Sequence, residues 1–285
     1  MILAEARRLV RARLAQRDND SEALEADLLL GAVTGLDRGA LIARSEQPLT
    51  DTQQHQLEGL ITRRIAGEPI AHLLGTREFW SLSLRVNPAV LIPRPETETL
   101  VEHALAALPE DFALRVADLG TGSGAIAAAL AHERPRWTLF AVDAAAGALA
   151  VAADNCSRLG LPNLVLVQCD WTSTLACNAL DAIVSNPPYV REDDAHLSQG
   201  DLRFEPRSAL TAGTDGLAAI RTIVADAPRC LRPGGLLALE HGWDQAHAVR
   251  DLLRARGFDA VRTFHDLAGH ERVTSARLPR IGPGA

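Results

Sequence analysis

Asp118-Leu119-Gly120-Thr121-Gly122-Ser123-Gly124 is the stretch on which the reading of this chain turns. Before it, Leu114–Leu119 is a short apolar run of strand length. After it, residues 124–133 are almost wholly apolar and alanine-rich, with the length of a helix. Glycines between a strand and a helix allow a sharp turn and let a ligand approach the main chain. In open α/β sheets the ligand lies at the carboxyl ends of the strands.

The alternation continues outward from this turn. Strands are expected at Trp137–Val142, Leu164–Gln168, Asp181–Ser185 and Leu236–Glu240. Helices are expected over 145–158, 216–231 and 244–256, with a closing pair of strands near 258–264 and 271–278. This rhythm predicts an α/β fold with a Rossmann-like, mainly parallel, doubly wound sheet over residues 95–285. Upstream, residues 1–72 read as a small helical bundle. Leu3, Ala6, Val10 and Leu14 recur at helical spacing, as do Leu24, Leu28 and Leu29. Thr50 with Gln53 forms a capping box ahead of Leu57, Leu60, Ile61 and Ile65, and Gly67 and Pro69 close that helix. Between the two parts, residues 73–94 form a hairpin linker in which Phe79, Trp80, Leu82, Leu84 and Val86 carry the apolar positions. Pro95 then suits the first turn of a helix whose apolar face is Leu100, Val101, Ala104, Leu105 and Leu108.

Bulk properties narrow the chemistry. The chain has 285 residues, a net charge of −7 and no Lys, so all its side-chain cations apart from His are Arg. A lysine Schiff base, a pyridoxal-phosphate lysine and a P-loop lysine are thereby excluded. The negative charge argues against a large nucleic-acid footprint, and no direct nucleic-acid partner is expected. Cys156, Cys169, Cys177 and Cys230 lack metal-ligand spacing, the His residues are scattered, and no metal site is expected. No apolar run is long enough to span a bilayer. The Arg-rich start, Met1 to Gln16, contains Glu5 and reads as an ordinary first helix rather than a transit peptide, so a cytoplasmic location is expected.

The glycine turn resembles a nucleotide site. Asp143 ends the second strand, where a carboxylate can accept both hydroxyls of a ribose. Gly120, Gly122 and Ala125 also satisfy the dinucleotide pattern G-x-G-x-x-A, which leaves a dehydrogenase reading open. Two features favour S-adenosylmethionine. Asp118 places negative charge near the loop, suiting a sulfonium better than a pyrophosphate, and Asp170-Trp171 after the third strand sets an indole where an adenine could lie.

A second motif follows the fourth strand. In Asn186-Pro187-Pro188-Tyr189 the two prolines end the strand, because they cannot donate to a ladder, and they stiffen the loop. An amide stands at one end of that loop and a phenol at the other. A dehydrogenase leaves this motif unexplained.

Together, LIPRPETE at 91–98, DLGTGSG at 118–124 and NPPYV at 186–190 resemble the protein-(glutamine-N5) methyltransferases that act on peptide chain release factors, the PrmC/HemK family. Glu205-Pro206, Ala209-Leu210, Gly213 to Leu217, Glu240-His241-Gly242, Asp266 and Arg272-Val273 fit the same family, and the likeness spans essentially the whole chain. It implies a class I S-adenosylmethionine-dependent methyltransferase with a helical, release-factor-docking domain at 1–72. It implies that Gly120, Thr121, Gly122, Ser123, Gly124, Asp143 and Trp171 hold S-adenosylmethionine, with S-adenosylhomocysteine as product. Asn186 would touch both cofactor and substrate, and Asn186, Pro187, Pro188 and Tyr189 would form the catalytic loop for the glutamine of a Gly-Gly-Gln motif in class I release factors. Ala144-Ala145-Ala146 departs from the family, where polar residues are common. A relative acting on a ribosomal-protein glutamine differs in the segment equivalent to 91–98. An adenine-N6 methyltransferase shares the Asn-Pro-Pro-Tyr logic but needs a flipped base and an aromatic or basic surface. A non-enzymatic scaffold that docks translation factors leaves the loop without a task.

Overall fold

The computed structural model describes residues 1–15, 21–198 and 200–280. Gln16, at the end of the Arg-rich first segment, lies outside them. The chain divides into two compact units, Met1–Thr76 with Ser198–Phe204, and Arg77–Leu197 with Glu205–Ala285.

The first unit contains α1 (Leu3–Leu14), α2 (Glu22–Thr34), α3 (Arg38–Ala43), α4 (Asp51–Ile65) and α5 (Ile70–Leu74). Leu3, Ala6, Val10 and Leu14 are buried, as their spacing requires. The capping box of α4 forms, with Thr50 Oγ1 accepting from the Gln53 amide at 3.2 Å and Gln53 Oε1 accepting from the Thr50 amide at 3.0 Å. Other details differ from expectation. In α2 the packed residues are Ala26, Leu29 and Leu30, while Leu24 and Leu28 face outward. That helix is apolar nearly all round, so periodicity could not select its inner face. In α4, Ile65 is exposed and Arg64 is buried instead. Arg64 pairs with Glu25 at 2.7 Å and with Asp201 at 3.0 Å. Arg203 adds a bond to the Ala66 carbonyl. These ties bring residues 198–204 into a unit whose end the sequence reading set at residue 72. The unit also runs on to Thr76. Pro69 caps α5, a position where a missing N–H costs nothing, and Ile70 and Leu73 return to the bundle core.

The second unit opens with β1 (Thr76–Phe79) and β2 (Leu82–Arg85), which form the expected hairpin, although β1 takes its first residue from the end of the first unit. Trp80 and Ser81 take left-handed backbone angles, so Trp80 makes the turn rather than a strand position. A 3-10 turn at Pro95–Thr97 leads into α6 (Glu98–Ala107). Then come β3 (Arg115–Leu119), α7 (Ala125–Glu133), β4 (Thr138–Asp143), α8 (Ala146–Leu159), β5 (Leu164–Gln168) and β6 (Leu180–Ser185). They are followed by α9 (Ala218–Cys230), β7 (Leu231–Glu240), α10 (Ala246–Ala255), β8 (Asp259–His265) and β9 (Glu271–Arg277). β7 starts five residues earlier than expected, running through Pro233-Gly234-Gly235 with a register irregularity opposite Leu180 and Ala182.

The strands form one sheet in the order β5-β4-β3-β6-β7-β9-β8. Pairing is parallel from β5 to β7 and antiparallel at β7–β9 and β9–β8. Alternate residues feed opposite faces. Val116, Ala182, Val184 and Leu236 pack with α6 and α7, whereas Leu119, Ile183, Leu237 and Leu239 pack with α9 and α10. Strands buried on both faces read as continuous apolar runs, which is why β6 was legible from five residues. The order reverses at β3, so the loops after β3 and β6 leave neighbouring strands at the same edge.

Ile183 is fully buried in the centre of β6. Ile183→Ala is expected to lower unfolding stability by about 2–5 kcal/mol, measured by urea denaturation.

Candidate active site

Register brings the site together. Leu119 pairs with Val142 and Ser185, and Asp143 pairs with Gln168. Gly120, Asp143, Cys169 and Asn186 therefore emerge at the carboxyl ends of four adjacent strands. One cavity of the second unit is lined by Gly120, Gly122, Asp143, Trp171, Asn186 and Pro188, with Asp170 beside Trp171. Ala89, Val90 and Leu91 contribute a further wall, and Pro206, Ser208 and Ala209 another.

The glycine turn is held from below. The Thr121 amide donates to the Val142 carbonyl at 2.9 Å, and the Gly122 amide donates to Asp143 Oδ2 at 2.9 Å. Asp143 Oδ1 accepts from the Ala145 amide at 2.9 Å. Each oxygen keeps a lone pair for another donor. Gly120 lies under the indole of Trp171, whose ring is 3.5 Å from where a Cβ would stand. Thr121, Ser123 and Gly124 do not line the cavity. Thr121 Oγ1 donates to Asp118 Oδ2 at 2.6 Å, the Ser123 carbonyl accepts from Asn155 Nδ2 at 2.9 Å, and Gly124 rests on Ala152 of α8. These three shape the loop.

Asp118 corrects the sequence reading. Its carboxyl is fully buried, turned toward Thr121 and the Ala127 amide, and absent from the cavity wall. Burial pushes it up to about 7, against the pull of those two donors. Asp143 and Asp170 carry the negative charge in its place, and none of the described lining residues is basic. An acceptor-rich wall without a cation suits a positively charged ligand.

The Asn186–Tyr189 loop is clamped on its far side. The Val190 amide donates to the Leu210 carbonyl at 2.9 Å, and the Ala212 amide to the Val190 carbonyl at 3.0 Å. Gln245 Nε2 donates to the Tyr189 carbonyl at 3.0 Å, and its Oε1 accepts from the Gly242 amide at 2.9 Å. A side chain at Gly216 would collide with that same Tyr189 carbonyl. Asn186 Nδ2 lies 3.1 Å from Thr97 Oγ1. Pro187 and Tyr189 do not line the cavity. The Tyr189 hydroxyl faces Glu240 Oε1 at 3.4 Å, and burial raises the phenol well above its ordinary value. Glu240 is itself fully buried. Burial lifts its carboxyl to about 7, while the Thr97 hydroxyl, Arg272 and Tyr189 hold it down. Glu205, also buried, accepts from the Ile92 amide at 2.9 Å and from Arg94, fastening the 91–94 segment to the loop ahead of Pro206. The polar support from Thr97 and Glu240 escaped the sequence reading. Both residues lie inside family motifs, 91–98 and 240–242, but nothing in their spacing announces that Thr97 meets Asn186 and Glu240 meets Tyr189.

The fold and this site define a class I S-adenosylmethionine-dependent methyltransferase. A methyltransferase structure from Pyrococcus furiosus superposes with a TM-score of 0.54 at 18% identity, covering 77% of this chain and 98% of that one. Family models described as the PrmC N-terminal domain and the methyltransferase small domain match residues 5–75 and 97–202. The release factor glutamine methyltransferase of Salmonella typhimurium is 52% identical over 92% of this chain and 94% of its own length. Those of Escherichia coli and Xylella fastidiosa are 51% and 49% identical over 91% and 94% of this chain, and over 93% and 98% of their own lengths. The chain belongs to the family of release factor glutamine methyltransferases.

The buried Asp118 gives a signed expectation for stability. Its folded pKa of about 7 lies above the unfolded value of about 3.9, so the folded state binds the extra proton between them. That contribution is complete below pH 4 and is lost as pH rises through 7. Asp118→Asn, which keeps an acceptor for Thr121, should flatten this part of the melting-temperature profile between pH 5 and 8 relative to the native chain.

Proposed function

We propose that this protein transfers a methyl group from S-adenosylmethionine to the side-chain amide nitrogen of the glutamine in the Gly-Gly-Gln motif of class I peptide chain release factors. The reaction would take place in the cytoplasm and tune translation termination. The observation that carries this reading is one cavity with two unlike walls. One wall offers Asp143, Asp170 and the Trp171 indole with no basic residue, and the other offers Asn186 and Pro188.

The described residues fit the cofactor. Asp143 would accept from the ribose hydroxyls, Trp171, packed on Gly120, would lie against the adenine, and the two carboxylates would favour a sulfonium cation. When bound, S-adenosylmethionine supplies a methyl group on an electrophilic sulfur. What this chain must do is ready a poor nucleophile. An amide nitrogen shares its lone pair with its carbonyl, a conjugation whose scale is the ~18–20 kcal/mol barrier to amide rotation. The Asn186 side-chain oxygen and the Pro187 carbonyl can each accept one amide hydrogen and so fix the direction of the lone pair. Preorganised bonds of this kind are worth about 3 kcal/mol each, and alignment of the reactants up to about 7–11 kcal/mol. The Pro187 carbonyl and the Tyr189 ring would meet the substrate beyond the cavity that Asn186 and Pro188 line, where the ring favours the positive charge that develops at nitrogen. Its raised pKa keeps the phenol neutral throughout. No base need act before attack, since the proton leaves an already cationic product. Residues 1–72 would dock the release factor, 73–94 would link, and 95–285 would hold the chemistry.

With purified protein, S-adenosylmethionine and a release factor, mass spectrometry should find one methyl group on the Gly-Gly-Gln glutamine. Methylation of a ribosomal protein instead, with the release factor untouched, would overturn the substrate assignment. Asn186→Ala should reduce transfer by about 100-fold or more while cofactor affinity changes little. Wild-type rates in that variant would remove the amide-clamp role.

A further inference from the structure

The Asn186–Tyr189 loop is held at both ends. At its near end Ser185 pairs with Leu119 on one side and Leu239 on the other. Pro187 and Pro188 then fix two of the backbone angles within the loop. Most of the remaining freedom is removed at the peptide group that joins Tyr189 to Val190. Its N–H donates to the Leu210 carbonyl at 2.9 Å, and its carbonyl accepts from Gln245 Nε2 at 3.0 Å. Gln245 is half-buried, caps the start of α10 and does not line the cavity.

The Gln245 amide can stand only one way round. A backbone N–H can only donate, so the end that meets the Gly242 amide at 2.9 Å is Oε1. Nε2 then faces two carbonyls, which can only accept, Tyr189 at 3.0 Å and Asp215 at 3.4 Å. The backbone beneath is fixed as well, since the Gln245 amide donates to the Gly242 carbonyl and the Gln245 carbonyl accepts from Val249. Gly216 keeps the space open. A Cβ there would stand 2.2 Å from the Tyr189 carbonyl oxygen and 2.7 Å from Gln245 Nε2.

We propose that Gln245 is a positioning residue for methyl transfer, holding the Tyr189 carbonyl so that the Pro187 carbonyl and the Tyr189 ring are correctly placed for the substrate amide. This rests on the reading above, in which the loop receives a glutamine side chain. Gln245 touches neither cofactor nor substrate. It acts only by denying the far end of the loop a second resting place, so its loss lowers the rate of the chemical step and leaves binding alone.

The test uses the full chain, S-adenosylmethionine and the release factor, with variants Gln245→Glu and Gln245→Met. Gln245→Glu keeps the shape and the acceptor for Gly242, but when ionised it turns an oxygen on the Tyr189 carbonyl. At about pH 8 it should lower kcat by about 10–100-fold, with cofactor affinity and KM for the factor within about threefold of wild type. The introduced carboxyl faces two carbonyl oxygens, with Asp244 beside it in the chain and Asp215, paired with Arg221, across from it. These surroundings favour its protonated form, which can donate to Tyr189. The kcat of Gln245→Glu relative to wild type at the same pH should therefore recover about fivefold or more between about pH 8 and about pH 5.5. Gln245→Met cannot donate at any pH and should be slow throughout. If Gln245→Met fails to fold, Gln245→Glu compared with itself across pH decides alone. Wild-type kcat in Gln245→Glu at about pH 8, a loss that ignores pH, or a loss carried by KM or cofactor affinity would overturn the proposal. An inactive wild-type chain on a folded release factor would instead overturn the function it rests on.

Discussion

The parallel pairing of β3 with β6 is the constraint on which the rest depends. Leu119 faces Ser185 across that ladder, and Ser185 Oγ donates to the Leu119 carbonyl at 2.6 Å. The next residue on one strand is Gly120 and on the other Asn186. A slip of one residue would turn β6 inside out, since its side chains alternate between two cores. The burial of Ile183 and Val184 on opposite faces therefore also sets the distance between the two walls of the cavity. Site geometry here is a by-product of core packing, and loop chemistry adds the finer placement.

That finer placement comes from buried and half-buried polar groups. Asp143, Asn155, Glu205, Gln245 and Glu240 each bind backbone or side-chain groups from a loop that is remote in sequence. Burying such groups is costly unless they are satisfied, so each fixes a loop in one arrangement. The motifs scattered over 91–98, 205–217 and 240–245 are the two halves of these contacts. Glu205 meets Ile92 and Arg94, Gly216 makes room for the Tyr189 carbonyl, and Gln245 Nε2 donates to that same carbonyl close beside Gly216.

The alternation of strands and helices was legible because double burial makes parallel strands continuous apolar runs and turns carry glycine and proline. The cavity was half legible. Gly120, Asp143, Trp171 and Asn186 stand at strand ends, and strand ends can be read from sequence. Asp118 was misread because its spacing to the glycines says nothing of which way its carboxyl points, and it turns into the core. Thr97 and Glu240 were invisible in their roles because their contacts join segments 89 and 51 residues from the loop they support. In the helical unit, α2 carries apolar residues on every side, so its inner face could not be chosen, and α5 is too short for any periodicity to show.

The Arg64–Asp201 bond carries one more consequence. Asp201 follows Arg64 by 137 residues, yet it belongs to the compact unit that otherwise ends at Thr76. On a ribosome adding ~5–20 residues per second, the bundle waits roughly 7 to 27 s for this last piece. Until then its buried guanidinium has only part of its final set of counter-charges. The N-terminal unit is thus first in the message but cannot be finished first, and its completion marks the emergence of the Asn186–Tyr189 loop a dozen residues earlier.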